Sequence, residues 1–237
     1  MILINSKFYN KKMKKLKCIL IGEGKVGKTS LINQYINNQF EDGNYTMTTS
    51  GDKYIKEIKI NDKIRNIEIW DTPGQAVYAT ANKIFMKNTD IALIVYDITE
   101  KKTFDKLNDW INLVKEVNPN GNFIIGIAAN KSDLYEEAQV NNEEGKEYIK
   151  TIKDNTSLFF ETSATDHENV EDVFNQLTKA YIDKYDEENK PVINSITNDQ
   201  NEGMSQQEFF ETNNVEKINV IDKRSCCDKS FKKCSIF

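Results

Sequence analysis

Gly22-Glu23-Gly24-Lys25-Val26-Gly27-Lys28-Thr29 fits the pattern G-x-x-x-x-G-K-S/T, and its flanks decide how it is read. Before it runs Leu16-Lys17-Cys18-Ile19-Leu20-Ile21, a short apolar strand; after it, Leu31, Ile32, Tyr35 and Ile36 recur at helical spacing. A strand, a glycine turn and a helix start together make an anion cradle. Gly22, Gly24 and Gly27 let the backbone turn tightly and bring its N–H groups close to an anion. Those groups, with the positive end of the following helix, can hold the phosphates of a nucleotide. Lys28 supplies a point charge for the β- and γ-phosphates. Thr29 offers a hydroxyl to Mg²⁺, a hard cation that prefers oxygen ligands.

The chain has 237 residues, enough for one substantial α/β domain and a tail. Its 38% hydrophobic and 29% charged residues are ordinary for a protein with one core. A formal net charge of −5 argues against nucleic-acid binding as its main task. Residues 1–15 read as a basic extension: Lys7, Lys11, Lys12, Lys14 and Lys15 follow a short apolar run, the reverse of a signal peptide. No stretch reaches the roughly 18 apolar residues of a membrane-spanning helix. Cys18, in the first strand, reads as a small buried hydrophobe.

Further along, the chain alternates strands with helices. The first helix is expected from about Gly27 to Asn37, and the hydroxyl-rich stretch from Glu41 to Gly51 as a mobile loop. Tyr54–Ile60 and Ile64–Trp70 read as strands joined by Asn61-Asp62-Lys63. Ile91–Asp97 is a continuous apolar run, hence a strand buried on both faces. Phe104, Leu107, Trp110, Ile111 and Val114 form one helix stripe. A strand Phe123–Ala129, a helix from about Asn142 to Asp154, a short strand Leu158–Phe160 and a last helix with Val170, Val173, Phe174, Leu177, Tyr181 and Tyr185 on one face complete the domain. This order predicts a doubly wound sheet with one antiparallel pair, and such sheets bind ligands at the carboxyl ends of their strands.

The polar motifs stand at those ends. Asp71-Thr72-Pro73-Gly74-Gln75 follows the third strand. Its aspartate sits where a residue holding Mg²⁺ through water is found beside a phosphate loop. Gly74 can bring an N–H to a γ-phosphate, and the Gln75 amide can orient a water. Asn130-Lys131-Ser132-Asp133 ends the fifth strand. A carboxylate only accepts hydrogen bonds. Guanine presents N1–H and a 2-amino group side by side, whereas adenine has no donor at either position. Asp133 therefore selects guanine, and an ATPase reading fails on it. Asn130 can brace the loop and the stem of Lys131 can lie along the base. Ser163 and Ala164, in Glu161-Thr162-Ser163-Ala164, can offer an N–H to the guanine O6.

Taken together these motifs resemble those of the Ras superfamily of small GTPases over about Lys17 to Tyr185. The wording Gly-Glu-Gly-x-Val-Gly-Lys-Thr-Ser-Leu, Ile-Trp-Asp-Thr and Val-Tyr-Asp-Ile-Thr is most similar to the Rab branch, and within it to the early-endosomal subgroup. The resemblance implies a P-loop NTPase fold of the α/β class, with a six-stranded, mostly parallel sheet and helices on both faces, over residues 16–185. It implies a GTP/GDP switch in which Mg²⁺-bound GTP orders two loops that meet effectors, an exchange factor and a GTPase-activating protein. By position, Glu23, Gly24, Lys25, Val26, Gly27, Lys28, Thr29 and Ser30 would surround the phosphates, with Phe40 packing against the base. Asn130, Lys131, Asp133, Ser163, Ala164 and Thr165 would form the guanine pocket. Thr29, Asp71 and a loop threonine would hold Mg²⁺; ungapped counting back from Trp70 favours Thr48 over Thr49. Lys28 and Gln75 would carry the chemistry, Gln75 orienting the attacking water.

Three departures stand out. Thr49-Ser50-Gly51 replaces the usual Thr-Ile-Gly, Pro73 replaces an alanine, and Ala76-Val77 replace Glu-Arg. Proline fixes φ and has no N–H, so Pro73 is expected to stiffen the second switch and alter hydrolysis or exchange. This keeps a rival open: a module that signals by GTP occupancy and hydrolyses poorly.

Residues 186–237 read as a flexible tether. Near its end Lys223, Arg224, Lys229, Lys232 and Lys233 outnumber Asp228. The last four residues, Cys234-Ser235-Ile236-Phe237, fit a prenylation box favouring geranylgeranyl. One chain anchors only marginally, so the basic cluster or palmitate on Cys226 or Cys227 is expected as a second signal. The expected location is the cytoplasmic face of an endosomal or other vesicular membrane, cycling with the cytosol.

Overall fold

The computed structural model describes residues 15–40, 48–74, 79–152, 157–167 and 169–185. In chain order the elements are β1 (Leu16–Ile21), α1 (Lys28–Asn37), β2 (Asp52–Ile60), β3 (Lys63–Asp71), α2 (Ala79–Met86), β4 (Ile91–Asp97), α3 (Lys101–Asp105), α4 (Leu107–Val117), β5 (Ile124–Asn130), α5 (Asn142–Thr151), β6 (Ser157–Thr162) and α6 (Val170–Tyr185), with a 3-10 turn at Ser132–Glu137. The strands lie in the order β2-β3-β1-β4-β5-β6. Only β2 and β3 are antiparallel; the other pairs run parallel. This is the six-stranded, mostly parallel sheet expected.

Alternation along each strand sorts the core into two layers. From β1, Cys18 and Leu20 join Leu93, Val95 and Ala128 on the face packed by Leu31, Ile32 and Tyr35 of α1 and Val173, Phe174 and Leu177 of α6. Ile19 and Ile21 join Ala92, Ile94, Tyr96 and Ile127 on the other face, against Met86 of α2, Phe104 of α3, and Leu107, Trp110, Ile111 and Val114 of α4. Stacking of Tyr35 on Phe174, with ring centroids 4.0 Å apart, joins α1 to α6. Each fully buried Leu, Ile or Phe contributes about 1.5–3 kcal/mol relative to exposure. β4 is buried at all seven positions, as a strand covered on both faces must be.

Several boundaries differ from expectation. The hairpin loop is two residues long, since Lys63 already pairs with Ile60. Asn61 and Asp62 both have positive φ, 51° and 59°, the pair of left-handed conformations that matches the twist of the flanking strands and that Asn and Asp tolerate. The single stripe from Phe104 to Val114 is split into α3 and α4 at Lys106. The Thr103 hydroxyl accepts from Asp97 N at 3.0 Å and so ties α3 to the end of β4. α5 ends at Thr151. β6 is longer than expected because its pairing with β5 runs from Ile125–Ser157 to Asn130–Thr162. α2 and the 3-10 turn are additions to the expected elements.

The register gathers the polar residues. Asp71 lies beside Leu20, and Asp97, Asn130 and Thr162 lie side by side. The polar ends of β3, β4, β5 and β6 thus share one end of the sheet with the close of β1.

Candidate nucleotide-binding site

At the end of β1 the chain turns at Gly22, whose φ is +142° and whose added Cβ would lie 2.2 Å from the Val95 carbonyl oxygen. No side chain fits between the loop and β4. Gly22→Ala is therefore expected to destabilise the protein by about 3 kcal/mol, read as a lower urea midpoint with an unchanged m-value. At the far end of the loop, Gly27 (φ +94°) is where α1 starts. A Cβ there would lie 2.3 Å from Asn130 Nδ2. Among the described residues no side chain caps α1, which leaves the N–H groups of its first turn and its positive end facing the loop. Lys25, between the glycines, is in the left-handed region at φ 68°.

Lys28 is buried and donates from Nζ to the carbonyl oxygens of Gly22 (2.9 Å) and Glu23 (2.7 Å). Burial pushes its ammonium down to about 8, against the pull of Asp71 and Glu23. Thr29 Oγ1 donates to Asp71 Oδ2 at 2.6 Å and lies 3.0 Å from Thr48 Oγ1. Thr48 also reaches Asp71 Oδ2, at 3.3 Å, whereas Thr49 is exposed. Burial raises the Asp71 carboxyl above its ordinary value, opposed first by the bond from Thr29, then by the Lys28 charge and the bond from Thr48. Its Oδ1 is buried and accepts no hydrogen bond among the described residues. A buried carboxylate oxygen without a donor is costly. Beside two hydroxyls it makes an all-oxygen donor set that suits a hard divalent cation. Gly74 closes this end: a Cβ on it would lie 2.5 Å from both the Glu23 carbonyl oxygen and Lys28 Nζ.

The opposite end is organised by Asn130. Its Nδ2 donates to the Val26 carbonyl at 2.8 Å and its Oδ1 accepts from Thr162 Oγ1 at 3.1 Å. It thereby ties the phosphate loop to β6. Lys131 is left-handed (φ 66°) and its Nζ pairs with Asp97 Oδ2. Asp97 Oδ1 accepts from the backbone N–H (2.9 Å) and hydroxyl (2.7 Å) of Thr99. Asp133 Oδ1 accepts from Ser163 Oγ at 2.7 Å, and Ser163 Oγ accepts from Asp166 N at 3.0 Å. Ala164 is buried, Thr165 and Phe40 are exposed, and Ser30 is half-buried.

Lys28, Thr29, Thr48, Asp71 and Gly74 thus meet at one end and Asn130, Lys131, Asp133 and Ser163 at the other. Gln75 lies outside the described residues, as do Cys226, Cys227 and Cys234. Asp97 and Thr162 stand inside the quoted motifs but are given no binding role by the sequence, although each ends a strand at the same end of the sheet. Among the described residues no helix is long and apolar enough to cross a membrane.

A Ras family model matches residues 17–184. Human Ras-related protein Rab-17 is 33% identical over 192 residues, which is 81% of this chain and 88% of that protein. Ras-related protein RabQ of Dictyostelium discoideum is 35% identical over 181 residues, 76% of this chain and 85% of its own length. The putative ras-related protein Rab-5B of the same organism is 35% identical over 179 residues, covering 74% and 79%. Identities so alike across differently numbered Rab proteins single out no Rab subgroup. The family generally binds guanine nucleotide with Mg²⁺ and hydrolyses GTP, and the paired Lys28 and Thr29–Thr48–Asp71 arrangement suits both ligands. The chain belongs to the Ras family of small GTPases, and its relatives there are Rab proteins.

Proposed function

We propose that the protein is a GTP-binding and GTP-hydrolysing switch that regulates vesicle traffic on intracellular membranes, in the manner of the early-endosomal Rab proteins its wording resembles. The observation that carries this reading is the cluster of Thr29, Thr48 and Asp71 around one buried, donor-poor carboxylate beside Lys28. Thr29 and Thr48 would hold Mg²⁺ directly and Asp71 through water. The ion held there would supply positive charge against that of the phosphates.

The chain's own groups do the rest. Glu23, Gly24, Lys25, Val26, Gly27 and Ser30 enclose the phosphates with their backbone, and the Lys28 ammonium neutralises charge as the γ-phosphoryl group leaves. Gly74 reports the γ-phosphate to the second switch and Thr48 reports it to the first. Gln75 orients the attacking water. At the base, Asp133 accepts from guanine while Ser163 holds its carboxylate; Ala164 and Thr165 line the O6 side, Lys131 lies along the ring and Phe40 packs against it. Effectors, an exchange factor and an activating protein would read the two switches. The basic tail, prenylated at Cys234 and with Cys226 or Cys227 as a second site, would hold the protein on the membrane.

A second reading, a scaffold that signals by GTP occupancy alone, is favoured by Pro73, a buried residue just before the tightly packed Gly74. Single-turnover hydrolysis of GTP with Mg²⁺ separates the two. Wild type is expected to convert bound GTP to GDP slowly, Gln75→Leu to remain GTP-bound, and Pro73→Ala to turn over faster. If wild type also stays GTP-bound, the occupancy reading replaces the switch.

A further inference from the structure

The second residue of the phosphate loop carries a carboxylate into a place built for anions. Glu23 is half-buried, and its own carbonyl accepts from Lys28 Nζ at 2.7 Å. That carbonyl is also the atom a Cβ on Gly74 would meet at 2.5 Å. A carboxylate free to swing here would repel phosphates and compete with them for Lys28, whose charge it already attracts. It is not free. Its Oε1 accepts a hydrogen bond from the indole Nε1 of Trp110 at 3.2 Å. Trp110 belongs to α4, is only 7% exposed and lies in the same core layer as Ile19, Ile94 and Phe104. The ring therefore has little room to follow a moving loop.

We infer that Trp110 is a positioning residue for nucleotide retention: its indole N–H holds the Glu23 carboxylate away from the phosphate cradle and fixes the Glu23 carbonyl that orients Lys28. The inference rests on the nucleotide-binding reading above. It also gives α4 a function distinct from packing. The Lys83 to Glu116 ion pair at 2.8 Å joins α2, which follows the second switch, to α4.

The test is the rate at which the full chain, with Mg²⁺, releases GDP carrying a ribose fluorophore. Trp110→Phe keeps most of the ring volume and removes the donor, so release is expected to rise about tenfold, the worth of one bond to a charged acceptor. Trp110→Phe with Glu23→Gln is expected to return within about threefold of wild type, because the freed side chain no longer carries charge. A merely structural role would leave the double variant as fast as the single one. Release from Trp110→Phe equal to wild type, or no rescue by Glu23→Gln, overturns the inference. Should Trp110→Phe fail to fold, Trp70→Phe leaves Trp110 as the chain's single tryptophan. Its indole N–H resonance is then expected to move on adding GDP and again on Glu23→Gln. An unmoved resonance overturns the inference. If wild type itself retains no GDP, the nucleotide-binding reading has failed instead.

Discussion

Asp133→Asn is expected to lower affinity for GDP and GTP by about 10⁴-fold while leaving the fold intact. The carboxylate accepts from Ser163 Oγ at 2.7 Å and so stands in a fixed direction in the 3-10 turn that follows β5. On the proposed reading it faces the two adjacent donors of guanine. An amide there presents a donor to a donor, and part of the pairing becomes a repulsion. Xanthine has an oxygen where guanine has its 2-amino group. The same variant should therefore bind xanthosine nucleotides better than wild type does, and this gain distinguishes altered recognition from damage. Competition titration of GDP, XDP and ADP against both proteins reads all three. Equal loss of every nucleotide would place Asp133 in the scaffold and not at the base.

Lys28→Met is expected to cost about 10³-fold in nucleotide affinity, the usual penalty for removing one charge of a desolvated pair. The same substitution should alter stability in the opposite sense. In the nucleotide-free protein, burial holds the ammonium at about 8, while the unfolded chain keeps it at 10.5. Between those values the unfolded chain binds more protons, so wild-type stability rises with pH through that window. The rise is about 3 kcal/mol when complete. Below about 8 the buried charge is present and its cost is fully felt. Lys28→Met should flatten this rise. Nucleotide affinity runs the other way: phosphates need the charged lysine, so wild-type affinity should fall as pH climbs past about 8. Calorimetry above that pH, in buffers of different ionisation enthalpy, should record proton uptake on binding in wild type and none in Lys28→Met. Binding without proton uptake in wild type would show that Lys28 does not meet the phosphates.

Much of this is legible in the sequence because strand ends and motifs coincide. A run such as Ile91–Asp97 can only be a strand covered on both faces, and a glycine turn between Ile21 and Lys28 can only serve a close approach. The pattern does not reveal what is set by tertiary packing. The apolar period runs smoothly from Phe104 through Val114, yet the Thr103 hydroxyl anchors the first turn to Asp97 and the helix breaks at Lys106. α2 is eight residues long, too short for its period to stand out. In the site, Lys131 can be read from its motif, but not its pairing with Asp97. That contact follows from the β4–β5 register, which places Asp97 opposite Asn130. The bond from Trp110 to Glu23 spans 87 residues and leaves no local trace. Counting back from Trp70 already favours Thr48 in the sequence, and the side-chain bonds agree: Thr48 touches Thr29, while its neighbour Thr49 is exposed.

The Asn130 amide has a consequence for how long a ligand stays. One side of it grips the loop after β1 and the other grips β6, which on the proposed reading serve the phosphates and the base. The two half-sites are therefore held at a set spacing, and a nucleotide engages them as a chelating ligand engages two arms. Once the base is seated, its own phosphates are presented at a high effective concentration, and the reverse holds equally. A base or a pyrophosphate alone gains none of this and leaves quickly. The intact nucleotide leaves only when both arms open together, so residence time, more than the strength of either contact, becomes the quantity on which outside proteins can act.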